Sequence, residues 1–170
     1  NASASDAVIE YILTTPYDIS TATVNNTKGV SRGGDTQATQ VVFNNDGTKM
    51  FIVNHRGEKT VDYYSLSTAF DVSTATRDDD DEYSIAGQEQ RANSIAFNND
   101  GTRMFIAGVG DLLPQVRIHE ISLDTAFDLS SGTTLLSSED MNSFQSQIDG
   151  VTFNYDGTKM YTITRVTDAQ

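Results

Sequence analysis

The chain has 170 residues, no cysteine and a net charge of −13. The acidity argues against nucleic-acid binding, because a polyanion needs a basic partner surface. Without cysteine there are no disulfides, no thiolate catalysis and no zinc–thiolate sites. No apolar run approaches the roughly 20 residues of a membrane-spanning helix, so we expect no membrane span.

One phrase occurs three times and predicts the fold. It reads Phe-Asn-Asn-Asp-Gly-Thr-Lys-Met-Phe from Phe43, and similar phrases begin at Phe97 and Phe153, at spacings of 54 and 56 residues. Asp-Gly between apolar runs is a strong hairpin signal, since the turn needs a positive φ that Gly tolerates. A period of this length around a hairpin is typical of a β-propeller blade. We therefore predict an all-β propeller with four-stranded blades of about 54 residues.

Taken in chain order, the elements predict two complete blades flanked by two incomplete ones. Residues 8–13 are predicted to form the third strand of a blade, and residues 23–26 the fourth. The last predicted strand covers residues 159–166 and is the second strand of a blade. The predicted organisation is a tail (1–6), an outer half-blade (7–35), two blades (36–89 and 90–145) and an inner half-blade (146–170).

This division into two complete blades and two half-blades leaves two arrangements open. Three blades' worth of chain is fewer than the usual minimum of four for a closed ring. The chain is either part of a six- or seven-bladed ring in a longer polypeptide, or half of a six-bladed ring formed by two copies. In both arrangements residues 8–13 pair with a strand equivalent to residues 159–166, because an open half-blade exposes unpaired backbone groups.

The repeated hairpin phrase resembles the repeat of YVTN-type and lactonase-like bacterial β-propellers. The second repeated phrase, Leu-Ser-Thr-Ala-Phe-Asp-Val-Ser-Thr-Ala-Thr from Leu66, is similar to repeats in secreted or surface proteins of marine bacteria and their phages. The resemblance implies an extracellular, cell-surface or virion location. Because this fold hosts many activities, it does not imply one function.

Polar residues entering the first strand of each blade, and those following the second strand, should meet at one mouth of the central channel. A shallow site with a few convergent polar groups is the default binding-site hypothesis. The predicted ligand-binding residues are Gln37, Thr39, His55, Arg56, Arg91, Asn93, Gln147, Asp149 and Arg165. A glycan or a protein is the predicted ligand.

Two cation sites are candidates, with Ca²⁺ as the ion, because carboxylate and amide oxygens suit a hard cation. The resemblance to lactonase-like propellers implies one at the channel mouth, at Asn93 and Asp149. The acidic run that contains Asp78, Asp80 and Glu82 offers the other. The Asn-Asp-Gly phrases themselves lack the ligand spacing of a calcium loop and are interpreted as turns.

Evidence for catalysis in the sequence is weak. Of the two histidines, His119 is expected at the surface, and His55 lies on a loop beside Arg56, where it could act as an acid or base. The recurrent aromatics Tyr17, Phe70 and Phe127 are expected to pack on the hairpin between third and fourth strands. We favour a binding or structural module; the alternative is a lactonase-like or sugar-processing hydrolase that uses a divalent cation at the channel mouth.

Overall fold

The computed structural model of the chain describes residues 6–31, 37–57, 59–87, 91–109, 116–141 and 147–165, with the side chains of residues 78–81 and 165 excepted. Of the residues described, 60% lie in strands and 4% in helices, so the fold is nearly all β. The all-β prediction is therefore confirmed. Among the described residues no helix is long and apolar enough to cross a membrane.

Twelve strands are described, and most are six to eight residues long. In chain order they are β1 (Ala7–Leu13), β2 (Ala22–Gly29), β3 (Ala38–Phe43), β4 (Lys49–Asn54), β5 (Thr60–Leu66), β6 (Ala75–Ser84), β7 (Arg91–Phe97), β8 (Arg103–Val109), β9 (Arg117–Leu123), β10 (Thr133–Asp140), β11 (Gln147–Phe153) and β12 (Met160–Arg165). Short 3₁₀ turns at Ile19–Thr21 and Val72–Thr74 precede β2 and β6.

The strands form four antiparallel sheets in chain order. β3–β6 and β7–β10 are four-stranded meanders, and β1–β2 and β11–β12 are two-stranded. In each meander the first-to-second and third-to-fourth connections lie at the same end, which we call the hairpin end. The opposite end, with residues 54–60 and the start of β7, is the loop end.

The three Asp-Gly phrases form the same turn because each closes its own hydrogen bonds. In the first, the Asp46 carboxylate accepts from the Thr48 hydroxyl at 2.6 Å and the Thr48 N–H at 3.0 Å. The Asn44 side chain accepts from the N–H of Lys49 at 2.9 Å. Gly47 supplies a φ of +72° that other residues rarely adopt. The same bonds recur at Asp100 and Asp156.

Apolar side chains between neighbouring sheets form the core. The largest cluster lies between the two four-stranded sheets and includes Phe51, Val53, Ile95, Ile106 and Leu129. A second cluster joins β1–β2 to β3–β6, and a third joins β7–β10 to β11–β12. β4 is buried along both faces, as its continuous apolar run predicts.

Two sequence expectations were wrong. His119 is buried on β9, where the sheet packs against its neighbour, instead of lying at the surface. Phe70 and Phe127 do not plug the third-to-fourth connection from which they arise. Each adopts a positive φ, and its ring covers the glycine of the first-to-second hairpin, Gly47 or Gly101. This contact lies at the shared hairpin end, which only the sheet topology reveals.

Candidate functional site

The candidate site lies on the first strands of three neighbouring sheets. Each strand has a β-bulge at the same repeat position, and the bulged residues are Thr39, Asn93 and Asp149. A bulge leaves one residue outside the regular pairing and redirects its side chain. All three line one open depression of about 300 Å³, which residues 161–163 of β12 also border. The structure thus brings together three of the residues singled out from the sequence.

Hydrogen bonds between sheets hold these strands at fixed positions. The Gln40 side chain accepts from the N–H of Ile95 at 2.6 Å, and the Ser94 hydroxyl accepts from the N–H of Val151 at 3.2 Å. The Asn93 amide donates to the carbonyl of Ile148 at 2.9 Å. Each bond spans 55 to 57 residues of sequence. The bulged positions are therefore preorganised by their neighbours.

Gln40 and Ser94 were not predicted as site residues. Both line the depression and occupy equivalent repeat positions, where the third copy has Gly150. A polar residue recurring inside an otherwise apolar strand is the sequence signal that identifies them. No comparable feature of the sequence marks the β-bulges at the neighbouring residues Thr39 and Asn93.

Two arginines, Arg56 and Arg91, lie near His55 at the loop end, outside the residues that line the depression, and we call them the arginine rim. The backbone of His55 donates to the carbonyl of Gln37 at 3.1 Å, which fixes the loop after β4 against the start of β3. Burial, and then the positive charges of Arg56 and Arg91, lower the pKa of His55 from its ordinary value. The neutral imidazole is accordingly favoured beside these two guanidinium groups.

Asp149 brings a negative charge to the same depression. Its carboxylate accepts a hydrogen bond from the Gln147 amide. The site therefore combines a carboxylate floor with an arginine-bearing rim. The Arg165 side chain lies outside the described residues.

The two candidate cation sites are not completed by the described side chains. Within the described parts of the chain, no group of three or more His, Cys, Asp or Glu residues could hold a metal ion. At the channel mouth the Asn93 amide nitrogen is engaged with Ile148. In the acidic run, Glu82 binds Arg77 at 3.3 Å, and the side chains of Asp78 and Asp80 lie outside the described residues.

Comparison with known proteins bears on the fold. No family model matches the chain, and no curated protein matches it. Among solved structures it is similar to Sqt1 from Chaetomium thermophilum, a WD40-like β-propeller protein, with a TM-score of 0.54 and 15% identity. The match covers 93% of this chain and 36% of that one.

This chain has a β-propeller-type fold. A second structure, of Chaetomium thermophilum Sqt1 bound to the N-terminus of the ribosomal protein L10, matches with a TM-score of 0.53 and 15% identity over 93% of this chain and 38% of that one. The chain spans little more than a third of the length of these two Sqt1 structures. At this identity the likeness is one of fold. The YVTN-type assignment, the number of blades and the blade boundaries stay predictions.

Proposed function

We propose that this chain is a binding module of an extracellular or virion surface, and that its ligand is a protein segment. The depression at Thr39, Asn93 and Asp149 is the contact site. The observation that carries the proposal is the convergence of bulged polar positions from the first strands of three neighbouring sheets on one depression. Convergent polar groups in a concave site are the general mark of a recognition surface.

The rim favours a ligand segment that bears a carboxylate. Arg56 and Arg91 flank His55, and a guanidinium binds a carboxylate with two parallel hydrogen bonds. The carboxylate of Asp149 at the floor disfavours a second acidic group there and favours a donor. A peptide with an acidic residue next to a hydrogen-bond donor matches both features.

The likeness to Sqt1 supports a protein ligand over a glycan. One of the similar structures is described as Sqt1 bound to the N-terminus of a ribosomal protein. A protein to which this chain is similar in fold is therefore known with a protein segment bound. We transfer only the class of ligand to this chain, and a surface location is part of the same proposal.

A peptide array and a glycan array, probed with the same preparation of the 170-residue chain, test this proposal. We expect peptide hits enriched in Asp and Glu. Binding should fall at least about tenfold in Arg91→Glu, because reversal of a rim charge repels the carboxylate. Thr76→Glu adds a negative charge on an exposed residue at the hairpin end and should leave peptide binding unchanged. Hits confined to glycans, or equal loss in both variants, would contradict the proposal.

A further inference from the structure

Two repeat positions that are buried in the four-stranded sheets are exposed in the two-stranded ones. Ile19 is 84% exposed, whereas its equivalents Val72 and Leu129 are 2% and 5% exposed. Ile163 on β12 is 72% exposed, whereas its equivalent Val53 is fully buried. The two-stranded sheets therefore carry apolar side chains of a kind that is buried in the four-stranded sheets, but the described residues do not cover them.

An open cleft of about 810 Å³ lies between β7–β10 and β11–β12 at the hairpin end. Phe105 and Phe153 line it, with ring centroids 4.4 Å apart. At the equivalent place between the two four-stranded sheets, Phe51 and Phe97 stand 4.7 Å apart. There a third ring, Phe127, packs 5.2 Å from Phe97 and fills the space. The cleft is therefore an aromatic socket that lacks its third ring.

The glycine that the missing ring would cover has open space beside it. A side-chain carbon at Gly101 would meet the ring of Phe127 at 2.1 Å, and one at Gly47 would meet Phe70 at 2.3 Å. At Gly157, which lines the socket, the same carbon would meet nothing within 4 Å. All three glycines have the same positive φ.

Tyr17 has the properties of the missing ring. It follows β1 as Phe70 follows β5 and Phe127 follows β9, and its φ of +63° matches their +61° and +54°. Tyr17 is 98% exposed. A positive φ is costly for an aromatic residue unless surrounding contacts compensate. Tyr17 therefore has a positive φ similar to that of Phe127, but its ring is exposed, whereas the ring of Phe127 packs on Gly101.

We propose that the socket takes Tyr17 from a second copy of this chain, and that β1 of that copy adds to the free edge of β12. The composite sheet then has the order β11–β12–β1–β2, as in the two four-stranded sheets. Strand addition pairs the open edges of both copies and buries Tyr17, Ile19 and Ile163.

The register follows from the complete sheets. Met50 pairs with Tyr64 and Met104 with Ile121. The equivalent pair between copies is Met160 with Tyr11. The Phe127 N–H donates to the carbonyl of Gly101 at 2.8 Å, so the Tyr17 N–H donates to the carbonyl of Gly157 in the other copy.

One polar contact between neighbouring sheets of the chain indicates a further contact between copies. Glu10 on β1 accepts from the N–H of Val72 in the neighbouring sheet at 2.9 Å. The equivalent of Glu10 in β9 is Glu120, and the equivalent of Val72 is Ile19. Glu120 of one copy therefore accepts from the N–H of Ile19 of the other.

The occupant is a second copy because this chain itself bears every complementary part. The sheet that carries Tyr17 has a seven-residue third strand, like β5 and β9. Its Asp18 caps the following turn by accepting from the Ser20 N–H, as Asp71 does from Ser73. Each copy offers one socket and one Tyr17, so copies join head to tail, and the ring closes with two copies when each fills the socket of the other.

Light scattering across a concentration series gives the first test. We expect a mass of at least twice 18.5 kDa, twice for the two-copy ring, which dissociates on dilution. A β-rich chain that stays at 18.5 kDa throughout would overturn the proposal.

Cysteine cross-linking tests the register, since the chain has no cysteine of its own. Ile12 is placed opposite Lys159 of the other copy, as Ser65 is opposite Lys49. The backbone bond from Leu66 to Thr48 makes that pair a non-hydrogen-bonded one, whose short Cα separation suits a disulfide. We expect an equimolar mixture of Ile12→Cys and Lys159→Cys to form the mixed disulfide. An equimolar mixture of Leu13→Cys and Lys159→Cys should not form a disulfide, because in this register the two side chains lie on opposite faces of the sheet. Equal cross-linking in both mixtures would overturn the register.

Two substitutions separate the socket from general stability. Tyr17→Ala should raise the dissociation constant at least about tenfold, because buried aromatic anchors dominate interfaces, and it should leave the circular dichroism spectrum unchanged. Tyr17→Phe keeps the kind of ring that Phe70 and Phe127 place over their glycines, and it should associate as tightly as the parent. An unchanged dissociation constant in Tyr17→Ala, or equal weakening in both variants, would overturn the proposal. Peptide binding at the loop end is a separate measurement, so failure here leaves the proposed function standing.

Discussion

Each Asn-x-Asp-Gly-Thr turn depends on an ionised aspartate. The threonine hydroxyl and then the threonine N–H donate to Asp46, Asp100 and Asp156, and these bonds lower the pKa of each carboxyl group from its ordinary value of 3.8. The charged acceptor stabilises the folded turn because the bonds strengthen with the negative charge.

The stability of the folded chain should therefore fall in acid, because protonation of these aspartates weakens the turns. A lowered folded-state pKa gives stabilisation that is fully present above the unfolded pKa of about 3.9 and is lost as pH falls through the folded value. We expect Asp46→Asn with Asp100→Asn to lower the melting temperature at neutral pH and to flatten its decline below about pH 4. Thermal unfolding followed by circular dichroism from pH 7 to pH 2 measures both. Parallel curves for parent and variant would count against this origin.

At the scale of the element, the strands of different sheets are linked by side chain to backbone bonds. Gln40 accepts from the N–H of Ile95 across the junction between the two four-stranded sheets. Burying that N–H without an acceptor is costly, whereas the aliphatic part of the side chain only fills space.

Replacement of Gln40 by Met keeps the length and removes the acceptor. We expect the free energy of unfolding to fall by about 1–3 kcal/mol. The melting temperature should fall by about 2–4 °C per kcal/mol for a chain of this size. Val41→Ala changes a neighbouring, more exposed side chain without touching the bond and should cost less. Denaturant unfolding of both variants decides; an equal or smaller loss in Gln40→Met would contradict the role of the bond.

For the whole molecule, the sheet order predicts an uneven stability. β4 and β8 lie inside their sheets and between the apolar clusters, whereas β6 and β10 are last in theirs. Backbone amides paired on both sides and covered by core side chains exchange only in large openings.

We expect hydrogen exchange, measured by mass spectrometry, to be slowest in β4 and β8. It should be clearly faster in β6 and β10, whose outer edges are unpaired within their sheets. This comparison does not depend on association between copies, because β12 and β1 are not part of it. Equal protection of inner and outer strands would contradict the sheet order.

Local features of the sequence determined the strands and hairpins. The turn at Asp46 closes its bonds within five residues of chain, so the same phrase folds in the same way at Asp100 and Asp156. The apolar run in β4 predicts its burial directly, whereas residues 60–62 of β5 are buried on both faces despite the alternating sequence. The all-β architecture could therefore be predicted before any coordinates.

Only the tertiary structure decided the features that join distant repeats. The bulge at Asn93, the acceptor role of Gln40 and the burial of His119 depend on neighbouring strands or sheets. The positive φ of Phe127 depends on a glycine 26 residues earlier, which reaches it through the shared hairpin end. Such contacts have no local signal, because what a side chain meets across a sheet junction is set by the packing of whole elements. The sequence specified the turns and strands, and their packing fixed the site and the empty aromatic socket.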